Sequence, residues 1–103
     1  MNLRDFIPIM ESEWEPERGF FWRVRQGQFS KDEFERTLEK IKAIPSASVD
    51  APVPQRLISL LWYIPLFMRW QVERVQENNA DVAGYDIAVN KLTNEIERIL
   101  GVP

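Results

Sequence analysis

Cysteine and histidine are both missing from the 103 residues, and each absence closes off a block of chemistry. Without cysteine there is no disulfide framework, no thiolate zinc site and no thiol nucleophile, so a secreted mini-protein stapled by bridges is excluded and a reducing, cytoplasmic setting is expected. Without histidine the commonest metal ligand is gone, and with it serine-histidine and cysteine-histidine catalysis. Glycine is scarce too. The four glycines, at positions 19, 27, 84 and 101, stand apart from one another, so no glycine-rich loop can cradle a phosphate. No acidic run has the ligand spacing and central glycine of an EF-hand. The chain is expected not to be an enzyme, and no catalytic, cofactor-binding or metal-binding residue is assigned.

Long hydrophobic runs are also lacking. The longest, Leu57 to Met68, is twelve residues between Arg56 and Arg69. As a helix it reaches only about 18 Å, against a hydrocarbon core of about 30 Å, so it belongs in a protein core rather than a membrane. Neither end reads as a targeting or lipidation signal. The net charge of −3 argues against a general nucleic-acid binder, which needs a basic face to neutralise phosphates.

What is present is the composition of one globular domain spanning residues 1–103. It is 45% hydrophobic and 28% charged, with four tryptophans and six phenylalanines, and at this length roughly two-thirds of the unfolded surface can be buried. No run alternates in the manner of a strand, and no internal repeat is visible. The fold class is therefore all-α, a compact single-domain bundle of four to five helices.

Ser30-Lys31-Asp32-Glu33 is a capping box, and Phe29 and Phe34 occupy the two positions of a hydrophobic staple. Phe34, Leu38, Ile41 and Ile44 follow at spacings of four, three and three, and Pro45 closes the helix. Residues 45–54 read as an extended loop with three prolines. Pro54 suits the first turn of a central helix whose apolar block continues to Met68 and whose polar tail runs on to Asn79. Pro65 lies inside that block, predicting a kink or a break near Tyr63 in a helix surrounded on all sides. A last helix, about Asp81 to Leu100, carries Tyr85, Val89, Leu92, Ile96 and Ile99 as one stripe, stopped by Gly101. Two short helices are expected before residue 27: Leu3 to Glu13, disturbed near Pro8, and Pro16 to Gln26, ended by Gly27.

The most unusual local feature is the run Glu11, Glu13, Glu15 and Glu17 interleaved with Ser12, Trp14 and Pro16. In the ordinary reading these are solvated charges around a helix end. In the sharper one, Glu11, Glu13, Trp14, Glu15 and Glu17 form a partner-binding segment, acids steering a basic protein and the tryptophan anchoring it. Phe20, Phe21 and Trp22 among Arg18, Arg23 and Arg25 could stack on single-stranded nucleic acid. Core burial of the rings, with the arginines snorkelling or pairing, is the stronger reading. Leu60 to Trp70 could line a pocket at the kink, but core packing is favoured.

A short, acidic, single-domain helical chain with Gly19-Phe20-Phe21-Trp22, the capped Ser30-to-Ile44 helix and the Leu60-to-Trp70 segment resembles the small immunity proteins encoded beside bacterial polymorphic or contact-dependent toxins. The resemblance covers the general layout and carries no diagnostic motif, so no residue role transfers with it. It implies a cytoplasmic protein that binds and blocks one cognate toxin domain, often a nuclease with a basic surface. The alternative is a helical interaction or regulatory subunit, a homodimer with the last helix as its seam.

Overall fold

A computed structural model describes residues 2–46, 52–78 and 81–103. Among the described residues there are six α-helices and a short 3-10 turn at Leu3–Asp5, with no strand, so the all-α expectation holds. The helices are α1 Phe6–Trp14, α2 Phe20–Arg25, α3 Lys31–Lys42, α4 Gln55–Trp70, α5 Val72–Glu77 and α6 Val82–Leu100.

The starts and stops follow local chemistry. The Ser30 hydroxyl accepts the Glu33 N–H at 3.3 Å, and Phe29 and Phe34 close the staple with ring centroids 6.2 Å apart. The capping box is only half made, because the Glu33 carboxylate turns to Arg23 instead of back to the cap. Asp81 caps α6 by accepting the Gly84 N–H at 3.0 Å. Gly27 and Gly101 sit at φ 85° and 86° past the ends of α2 and α6, a left-handed stop that a Cβ would strain. The far end of α3 is closed from a distance: Arg98 of α6 donates to the carbonyls of Ile41 and Lys42 at 3.3 and 3.4 Å and to the Ser46 hydroxyl at 3.1 Å.

Proline is better tolerated than the spacing suggests. Pro8 falls in the first turn of α1, where an N–H would have no helical acceptor, so the interruption comes earlier, at the 3-10 turn. α4 runs as one helix from Gln55 through Pro65 to Trp70, with no break near Tyr63. The chain breaks at Gln71 instead. There the Met68 carbonyl, which a continuing helix would offer to residue 72, accepts the Tyr85 hydroxyl at 2.5 Å and the Gln71 N–H at 3.3 Å. The second helix also starts later than expected, at Phe20 rather than Pro16, behind a turn at 15–19. The extended loop expected over 45–54 lies partly outside the described residues, as does the end of the polar tail at Asn79.

α4 packs chiefly between α1 and α6. Its Leu57, Leu60, Leu61, Ile64, Phe67 and Met68 meet Tyr85, Val89, Leu92, Ile96 and Ile99 of α6, and Phe6, Met10, Phe20 and Phe21 complete the interior. The whole α6 stripe is therefore buried within the chain, while Val82 and Ile87 are the large apolar side chains of that helix left exposed. Nor is α4 surrounded. The molecule measures 45 × 28 × 19 Å, and its thinnest dimension equals about two helix diameters, so two layers of helix leave each one a side facing water.

Candidate functional site

The acidic segment does not act as a unit. Phe6, Met10 and Glu13 recur at spacings of four and three along α1, so Glu13 lies on the buried stripe and is only 6% exposed. Its carboxylate accepts the Thr37 hydroxyl at 2.8 Å, the Phe20 N–H at 3.4 Å and the Lys40 ammonium at 2.5 Å. One side chain thus ties α1 to the start of α2 and to the middle of α3. Its assignment as a partner-binding residue is corrected on this ground: a buried carboxylate with its acceptors taken cannot meet a partner.

Trp14 has internal partners as well. Its indole stacks on Phe21 at 4.5 Å, meets Phe67 edge-on at 4.9 Å, and donates its N–H to the Leu60 carbonyl at 3.3 Å. It is half-buried at the α1–α4 junction.

Glu11, Glu15 and Glu17 stay on the surface. Glu11 bonds Arg56 of α4 at 3.0 Å, an exposed pair of small energetic weight. Glu15 and Glu17 have no ion-pair partner among the described residues, and the turn that carries them is fixed at both ends. The Gly19 N–H donates to the Glu15 carbonyl at 2.8 Å, and Arg23 Nε donates to the Glu17 carbonyl at 3.2 Å. Any side chain at Gly19 would collide with the Glu13 backbone, so this glycine lets the turn fold flat against α1. Glu17 itself is held at φ 71°, a conformation a non-glycine residue adopts at a cost. Two carboxylates are thereby presented on a stiff corner.

The aromatic and basic group after it is only partly core, since Trp22 is half-buried and outside the core cluster. Phe20, Phe21 and Val24 are buried, Arg23 pairs with Glu33, and the Arg25 guanidinium lies 5.3 Å from the centre of the Phe67 ring. Arg18, Arg23, Arg36 and Lys40 border a recess of about 200 Å³ with Glu13 and Glu33. Both acids there are already matched by a cation, which leaves neither as a free base. Among the described residues no group of three or more acidic side chains is placed to hold a metal ion, and no helix is long and apolar enough to cross a membrane.

A second surface escaped the sequence reading. On α4, Ile58, Trp62, Leu66 and Trp70 are 36%, 53%, 38% and 60% exposed, and their spacing of four places them along one ridge of the helix. Tyr63 leads back from this ridge to the core, 6.1 Å from Trp14, 5.6 Å from Trp62 and 5.9 Å from Trp70. The indoles of Trp62 and Trp70 reach the surface, so core packing of the Leu60-to-Trp70 segment holds for its inner face and not for these two rings. The sequence does carry a signal for this face: the middle of α4, Leu60 to Met68, is apolar all round, in a chain too small to cover it all round.

The comparisons with known proteins add nothing to these surfaces: the chain matches no family model, no curated protein and no solved structure.

Proposed function

We propose that this protein is a non-catalytic binding protein of the immunity kind, which neutralises a cognate bacterial toxin domain in the cytoplasm by covering it. The observation that carries the reading is the stiff acidic corner. Glu15 and Glu17 stand exposed with no internal ion pair among the described residues, on a turn that holds Glu17 in a strained conformation. Strain of this sort persists only where the surrounding structure enforces it, and it concentrates where a surface must be presented in one shape. A corner ordered in advance loses little freedom on docking, and its charges speed encounter with a basic surface. Glu11 extends the patch, while Glu13 and Trp14 hold it from beneath.

The test is the neighbouring gene. Co-expression of this chain should rescue cells that produce the toxin domain encoded beside it, and the two purified proteins should form a stable complex. Reversing Glu15 and Glu17 to lysine should slow association at least about tenfold, with a weaker salt dependence and an unchanged melting curve. Failure to rescue or bind the neighbour removes the immunity reading. Rescue with an unchanged association rate removes the corner from the interface.

A further inference from the structure

The outer face of α4 is apolar, exposed and not needed by the acidic corner. From its residue order we infer that it is a homodimer interface: α4 of one chain docks antiparallel on α4 of a second copy about a two-fold axis passing over Ile64. The proposal stands apart from the toxin-binding reading, since it uses a different surface and would hold for any partner at the corner.

The pattern of sizes selects the second copy. Ile58 and Trp70 lie equally far from Ile64 along the helix, and so do Trp62 and Leu66. Antiparallel pairing about that point therefore sets Trp62 against the partner copy's leucine at 66 and Ile58 against its tryptophan at 70. Each indole meets a smaller aliphatic side chain in all four places, which is the self-complementarity an isologous interface requires. A parallel pairing in register would instead set each tryptophan on its twin.

Charge agrees with the register. Arg69 is the one charged residue among the exposed side chains between Ile58 and Trp70, and the same axis sets it opposite Ser59 of the second copy rather than against its own counterpart. Like charges are thus kept apart.

The area is also of the right order. A whole tryptophan offers up to about 250 Å², so the four exposed side chains present on the order of 400 Å² of apolar surface. That is the core of an interface whose standard size is about 800 Å² per partner, and Gln55, Ser59, Tyr63 and Arg69 on the same side supply a polar rim.

The natural absence of cysteine makes the register directly readable. Single variants Trp62→Cys and Leu66→Cys, mixed and treated with a short bismaleimide, should join 62 to 66 in preference to 62 to 62. Ile87→Cys, exposed on α6, should join nothing. By light scattering the wild-type chain should be a dimer at micromolar concentration, and Trp62→Glu should raise its dissociation constant at least about thirtyfold. Circular dichroism at matched temperature should show that variant's helices intact. A chain that stays monomeric up to about 100 µM overturns the proposal, as does a dimer indifferent to Trp62→Glu or one crosslinked 62 to 62. So does a toxin complex that shields the cysteine at 62 from alkylation while the free chain is monomeric. The solution mass and the crosslinks are read on the free chain and leave rescue by the acidic corner untouched, so the two readings fail separately.

Discussion

Removing the Glu13 carboxylate should damage the fold as no other change in the acidic run does. In Glu13→Ala the Thr37 hydroxyl, on a residue 2% exposed, and the Phe20 N–H at the start of α2 both lose their acceptor. A buried donor left without a partner costs about 1–3 kcal/mol. The Phe20 contact is long at 3.4 Å, so it belongs at the low end of that range. Lys40, with its side chain 45% exposed, swings into water and adds little. The sum is about 3 kcal/mol, which for a domain of this size lowers the melting temperature by about 10–20 °C. Urea and thermal unfolding followed by circular dichroism at 222 nm would measure it, with Glu15→Ala as the control, expected within about 0.5 kcal/mol of wild type. Thr37→Val should show coupling to Glu13→Ala in a double-mutant cycle, since each removes the same bond. A loss no larger than that of Glu15→Ala would refute the placement of Glu13 as the tie among α1, α2 and α3.

Two further outcomes follow from single backbone and side-chain features. Glu17→Gly should stabilise the chain by about 0.5–1 kcal/mol in urea titration, because relief of the positive φ outweighs the added freedom of the unfolded glycine; a net loss would mean the turn is held by the Glu17 side chain rather than against it. Burial pushes the Tyr85 hydroxyl well above its ordinary value of 10.0, so between pH 10 and that raised value the folded chain keeps a proton the unfolded chain releases. Its contribution is therefore fully present below about pH 10 and declines as pH rises beyond it. Tyr85→Phe should abolish that part of the decline while costing about 1 kcal/mol at neutral pH through loss of the bond to the Met68 carbonyl. An unaltered alkaline profile would refute the assignment.

Where structure is decided by neighbours in the chain, it was readable. Ser30, Asp81, Gly27 and Gly101 mark helix ends because capping and left-handed stops involve residues three or four apart. The stripes of α3 and α6 are legible for the same reason, since one face of each is polar. The acidic run misled because its members at 11, 13, 15 and 17 stand together in the sequence as one segment, whereas α1 turns 13 onto the face of Phe6 and Met10. That spacing was present in the sequence, but a carboxylate on an apolar face is recognisable as buried only once Thr37, Phe20 and Lys40 converge on it from residues up to 27 positions away. α4 posed the opposite difficulty. Apolar from Leu60 to Met68 with the polar Gln55, Arg56, Ser59 and Arg69 confined to its ends, it offered little contrast from which to read an inside and an outside. Only the two-layer thickness of the molecule decides which tryptophans face water. The break at Gln71 rather than Pro65 is of this kind as well, marked by a Tyr85 hydroxyl that arrives from α6.

Arg98 gives α3 two ends of different provenance. Its first turn is closed by Ser30, three residues from the N–H it satisfies, and can form as soon as that stretch of chain exists. Its last carbonyls wait for a guanidinium 56 and 57 residues further on. During synthesis the helix must therefore emerge finished at one end and open at the other, and it closes only after α6 has left the ribosome and packed. Ile41 and Ile44, buried in the completed molecule, lie at that open end. In the nascent chain, the end of α3 is the place where a chaperone would find an apolar grip.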